Sequence, residues 1–123
     1  GRKILFHTDA VQAANYLDCN VQNLGLDLLT LSSHKIYGPK GVGLLYARNG
    51  TKIVPLIFGG GQEHGLRSGT ENVAGIVGFG QALKEIQDPK SKIQNIKIRQ
   101  FRDKIIKMIL KLIPDSGLNG SRT

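Results

Sequence analysis

The stretch LLTLSSHKIYGPKGVGLLYAR runs from Leu28 to Arg48. An apolar run, Leu28 to Leu31, stops at Ser32-Ser33-His34-Lys35. A turn rich in glycine and proline follows, and Val42 to Ala47 is a second apolar run. Two short apolar runs bounded by turn residues read as buried strands. The first strand ends where a lysine follows two small hydroxyls and a histidine. A lysine there is unusual, because charged side chains avoid buried positions.

Upstream, Ile4 to Phe6 reads as another short buried strand, ending at His7-Thr8-Asp9, with one short helical turn over Ala10 to Tyr16. The strand through Leu28 extends back to Leu24, apolar apart from Gly25, Asp27 and Thr30. Downstream, Val54 to Phe58 reads as a fourth strand, at an edge because of Pro55. Gly59-Gly60-Gly61 then interrupts all regularity. After residue 70 the period changes. Val73, Ile76, Phe79, Leu83 and Ile86 recur at three or four and predict a helix. Thr70 is the expected N-cap, with Glu71 in the first turn. Asp88-Pro89 breaks that helix. A second runs from about Ser91 to Ile113, with Ile98, Phe101, Ile105, Met108 and Leu112 on one face, and Pro114 stops it. Strands followed by long helices imply an α/β sheet with helices on a face. A doubly wound domain needs more crossovers, so the chain is expected to be part of a larger one. Residues 1–114 read as a portion of that domain, and 115–123 as the start of a connection to another.

Composition narrows the function classes. At 123 residues and 40% hydrophobic, the chain has material for one core. The formal net charge is +8, which favours anionic partners in general. Much of the excess lies between Lys84 and Lys111, where lysines alternate with isoleucines. That pattern reads as a solvated helix face rather than a specific nucleic-acid surface. A single cysteine, Cys19, allows no internal disulfide and fits a reducing compartment, so a cytoplasmic location is expected. No secretory leader is visible, and no apolar run approaches the roughly 20 residues of a membrane span.

Glycines around Lys35 let the backbone approach a ligand. A desolvated lysine becomes a nucleophile toward carbonyls. Pyridoxal phosphate chemistry needs such a lysine, together with an acid that pairs with the cofactor's ring nitrogen. Asp9 is the candidate acid, because it ends one strand as Lys35 follows another. The carboxyl edge of an open α/β sheet is where ligands bind. Spacing alone leaves the plain alternative open: a solvent-facing loop lysine and a turn aspartate.

Three longer motifs bear on that choice. HTDAVQAA (His7 to Ala14), SSHKIYGPKGVG (Ser32 to Gly43) and GGGQEHGLRSGTEN (Gly59 to Asn72) together resemble the class V aminotransferase family. More narrowly, they resemble the cysteine desulfurases that supply sulfur for iron–sulfur clusters. The resemblance covers nearly the whole chain, but only the middle of the family's longer protein. It implies part of the large domain of a fold type I pyridoxal-phosphate-dependent transferase: short mixed or parallel strands followed by two long helices. It implies that Lys35 holds the cofactor as a Schiff base and that Asp9 keeps the pyridinium protonated. Gln12 would bond the ring's phenolic oxygen, and Ser32 and His34 would hold the phosphate. Thr70 would reach the phosphate of the partner subunit's cofactor, which implies a homodimer. The implied reaction takes L-cysteine to L-alanine and passes sulfur, as a persulfide, toward an acceptor or iron–sulfur scaffold protein.

Other residues are assigned by the same resemblance. Cys19 is not the family's sulfur-accepting cysteine and reads as a small buried hydrophobe. His7 is expected to be a structural hydrogen-bonder, Tyr37 a packing residue and Arg67 an organiser of its loop. His64 stands where many relatives have arginine. Selenocysteine lyase, or another class V aminotransferase, is the neighbouring alternative. A non-catalytic scaffold or dimerisation module is the alternative of a different class. Because the family's other cofactor and substrate groups lie outside this stretch, the chain by itself is expected to be inactive.

Overall fold

A computed structural model describes residues 4–121. The chain forms two compact units, Gly1–Ile86 and Gln87–Thr123.

The first unit is built on a three-stranded sheet in the order β1 (His7–Asp9), β2 (Leu28–Ser32), β3 (Gly43–Ala47). β1 and β2 are parallel, with Asp9 opposite Thr30. β2 and β3 are antiparallel, with Ser32 opposite Gly43 and Leu28 opposite Ala47. The sheet is therefore mixed. A 3₁₀ turn, Ser33–Ile36, directly continues β2.

Side chains alternate across a strand, so Leu29 and Leu31 share one face of β2 and Leu28, Thr30 and Ser32 the other. The leucine face is the core face. Leu29 packs with Ala10 and Leu26, against which Cys19, Leu31 and Tyr46 also lie. A second cluster joins Ile36 to Phe79 and Ala82 of helix α1 (Val73–Gln87). The open end of the β2–β3 pair is clamped by charge. Arg48 lies 3.4 Å from the buried Asp27 carboxylate, and its guanidinium donates to Leu26 O at 2.6 and 3.0 Å.

Several elements differ from the sequence reading. The first strand occupies His7–Asp9 rather than Ile4–Phe6. Phe6 still joins the sheet margin, its carbonyl accepting from Asp27 and Leu28 N–H at 2.9 and 3.1 Å. β2 starts at Leu28, not Leu24, because Leu24, Gly25 and Leu26 N–H are already spent on the preceding turns. Val54–Phe58 is no strand. Pro55 lacks a donor, and Ile57 O instead accepts from Ser68 N at 3.2 Å, folding the segment into a loop. Residues 10–17 form successive turns, with Ala10 and Ala13 carbonyls each accepting twice. α1 begins at Val73, so Thr70 is not its cap and Glu71 lies outside its first turn. The cap is Asn72, whose Oδ1 accepts from Gly75 N at 3.0 Å.

The second unit is chiefly one helix, α2 (Pro89–Leu112). Asp88-Pro89 starts this helix as well as ending the first. Asp88 accepts from Lys90 N at 2.7 Å, and proline sits in the first turn, where its missing N–H costs nothing. Along α2, Ile98, Phe101, Ile105 and Met108 are exposed. Among the described residues, no helix is long and apolar enough to cross a membrane.

Candidate active site

Because β1 and β2 run parallel, their carboxyl ends meet at one edge of the sheet. Asp9 is the last residue of β1 and is exposed there. Its Oδ1 accepts from Val11 N at 3.0 Å, an Asx-type turn that fixes the carboxylate as the chain leaves the strand. His7, two residues earlier and on the same strand face, places Nε2 at 2.8 Å from Thr30 Oγ1. That bond ties β1 to β2 beside Asp9 and matches the structural role expected of His7.

Ser32 closes β2. Its hydroxyl lies 2.9 Å from His34 Nδ1. His34 and Lys35 point outward from the 3₁₀ turn and are exposed, whereas Ser33 and Ile36 point inward and are buried. Three residues make one 3₁₀ turn, which accounts for the shared direction of Ser33 and Ile36. The turn ends at Tyr37 in the left-handed region, φ 68°. Its phenol accepts from Asn15 Nδ2 at 3.2 Å. Gly38 N then donates to Ser33 O at 3.0 Å.

Asp9, the Ser32–His34 pair and Lys35 are thus brought to one strand edge. Lys35 is exposed, the solvent-facing of the two placements that its spacing leaves open. Gln12 is exposed on the turns that leave the same edge after Asp9. Thr70 is exposed in the loop before α1, and no hydrogen bond joins it to these groups among the described residues. That loop is organised internally. Gln62 Oε1 accepts from Gly69 N at 2.9 Å, and Arg67 donates to Ser68 O at 2.8 Å. Glu63 and His64 both adopt the left-handed region, at φ 49° and 56°.

Two titrating groups near the core have identifiable shifts. The Cys19 thiol is pushed up from its ordinary 9.0 by burial and then by the neighbouring Asp18 charge. Asp18 is held below its ordinary 3.8 by hydrogen bonds from Asn20 N–H and the Asn23 side chain. Sequence reasoning missed the Asn15–Tyr37 bond. The available signal was an asparagine, buried here at 7% exposure, among the apolar residues between Ala10 and Leu17. No group of three or more potential metal-ligating side chains occurs among the described residues.

Acid, hydroxyl, imidazole and primary amine converge where open α/β sheets bind their ligands, outside the carboxyl ends of parallel strands. Fold and site together define an α/β domain that carries an exposed primary amine on the turn after a strand, at the sheet's carboxyl edge. The chain belongs to the aminotransferase class-V family, whose family model matches residues 1–122. It is 52% identical over 121 residues to a cysteine desulfurase IscS of Dictyoglomus turgidum and 50% identical to that of Clostridium botulinum, covering 98% of this chain in each case. The chain spans about 30% of the length of these curated relatives. Among solved structures, a NifS-like protein from Rickettsia africae superposes with a TM-score of 0.77 at 40% identity, covering 89% of this chain and 30% of that one. SspA in complex with cysteine superposes at 0.62 with 53% identity, covering 66% of this chain and 24% of that one.

Proposed function

We propose that the protein carrying this chain is a pyridoxal-phosphate-dependent cysteine desulfurase, and that this chain supplies the lysine-bearing wall of its cofactor site. The observation that carries the reading is the convergence of Asp9, Ser32, His34 and Lys35 at the carboxyl edge of β1 and β2. The names and identities of the relatives support it.

The donor set fits the group. A carboxylate suits a protonated ring nitrogen, a hydroxyl and an imidazole suit phosphate oxygens, and a primary amine suits an aldehyde. Pyridoxal phosphate, when bound, supplies an electron sink for bonds at the substrate's α-carbon. The chain's own residues do the rest. Asp9, fixed through Val11 N–H, holds a proton on the ring nitrogen. Ser32 and His34, already in contact, bind phosphate oxygens. Gln12 bonds the phenolic oxygen. Lys35 would hold the cofactor through its amine, and its Nζ would take or give a proton. Thr70 serves the partner subunit's cofactor in a homodimer.

The net reaction breaks the Cβ–S bond of L-cysteine and forms an S–S bond to an enzyme thiol, giving L-alanine and a persulfide. The cysteine bound in the SspA structure supports the substrate class. The sulfur then passes to an acceptor or iron–sulfur scaffold protein in the cytoplasm. The test is Lys35→Ala in the full-length protein. Alanine production should vanish, along with the visible absorption of lysine-held pyridoxal. Alanine release at the unsubstituted rate would overturn the reading.

A further inference from the structure

The turn that carries Lys35 is held from beneath. Ser33 is fully buried at 0% exposure and Ile36 nearly so at 2%. Ile36 sits against Phe79 and Ala82 of α1. Ser33 is a different case, because its hydroxyl finds no hydrogen-bond partner among the described residues. Buried hydroxyls are almost always paired, so an orphan calls for another reason to be there.

That reason lies at Gly38. A Cβ on Gly38 would collide with Ser33 Oγ and would stand 3.1 Å from both Ala82 Cβ and Ser33 O. Ser33 Oγ therefore fills the space that a side chain at position 38 would take. At the next residue the same helix makes a second close approach: a Cβ on Gly78 would stand 2.9 Å from Pro39 Cγ. Gly78 and Ala82 are four residues apart, hence on one helix face. That face receives the loop at Pro39 and Gly38.

We propose that Ser33 is a positioning residue for Lys35. Its side chain acts by volume and not by hydrogen bonding. Wedged against Gly38 on the side facing Ala82, it sets the height of the 3₁₀ turn over α1, and so where the Lys35 amine meets the cofactor aldehyde. The inference rests on the proposed function and adds to it a residue that touches neither cofactor nor substrate.

The test uses the full-length protein stripped of cofactor and mixed with pyridoxal phosphate. Two readouts are the rate at which the visible chromophore forms and the pH dependence of its absorption once bound. Gly38→Ala should slow formation about tenfold or more, since small misplacements of a reacting group are costly, and should shift the pH profile. Adding Ser33→Gly removes the atom the new methyl meets. The double variant should return to within about threefold of Ser33→Gly alone, the mark of two residues coupled by direct contact. Gly38→Ala at the unsubstituted rate with an unchanged pH profile overturns the wedge, as does a double variant much more than about threefold slower than Ser33→Gly alone. If Gly38→Ala does not fold, Ser33→Thr adds one methyl at the same place. It should slow formation, and the unsubstituted rate would again overturn the proposal. A chromophore that forms equally in Lys35→Ala removes the cofactor reading itself. A Lys35-dependent chromophore indifferent to position 38 removes only the wedge.

Discussion

Ser33 and Cys19 show how single side chains near the lysine turn and the first core cluster respond to burial. The Ser33 hydroxyl has lost water and gained no partner. Ser33→Ala deletes the orphan donor, so it should stabilise the fold by about 1 kcal/mol. The urea midpoint of unfolding measures this, and a loss of similar size would mean that the hydroxyl is bonded after all. Cys19 is half-buried, and its thiol is shifted upward. The folded chain therefore binds that proton more tightly than the unfolded one. The resulting stability is fully present below 9.0 and is lost as the pH rises through the higher folded value. Alkylation of Cys19, followed on its peptide by mass spectrometry, should stay slow until the pH has passed 9.0. Asp18→Asn removes the charge that adds to the shift, so it should speed alkylation at a given pH. Equal rates with and without the carboxylate would exclude that contribution. At this scale the catalytic candidates were legible, because Asp9, Ser32, His34 and Lys35 lie in motifs of distinctive residue types. The wedge and the Asn15–Tyr37 bond were not, because each joins residues whose meeting depends on how a turn folds back.

Helix and strand ends were read less well than their interiors. The apolar stripe of α1 was evident from its spacing, but its start was placed at Thr70. Two residues with capping chemistry, Thr70 and Asn72, compete there, and only the backbone decides. Val73 N donates to Glu71 O, and Asn72 Oδ1 takes Gly75 N–H. Asn72→Ala should cost about 1 kcal/mol of stability, whereas Thr70→Ala should leave the helix unchanged. Thermal unfolding of the two variants distinguishes the caps, and equal losses would return Thr70 to that role. The Val54–Phe58 segment failed for a related reason. Its apolar residues satisfy a strand pattern, yet Pro55 and the pull of Ser68 on Ile57 O leave no ladder to join. Apolar pattern specifies which residues seek cover and not which neighbour provides a hydrogen-bonded edge.

Across the molecule, the α/β class was legible from the order of strands and helices. The resemblance implied mixed or parallel strands without choosing between them, because strand direction depends on connections that periodicity does not encode. Much apolar surface stays open to solvent, including Leu56 at 87% exposed and Phe58 at 79% in the first unit and Phe101 at 66% in the second. Surface of that kind promotes association. The 123-residue chain made by itself should bind a hydrophobic dye and sediment as a concentration-dependent mixture. A dye-silent monomer would show that these side chains find cover within the chain.

The clamp of Arg48 on Asp27 and Leu26 has a consequence for the order of assembly. It closes β2, the lysine turn and β3 into one hairpin whose strand pairings and clamp all lie within residues 26–48. Segments rich in local contacts form quickly, since little loop entropy must be lost before the contacts reward it. During synthesis this hairpin can close soon after Arg48 clears the ribosome, before α1 has been made. Lys35 then rides on a preformed ribbon that the later helix only has to meet.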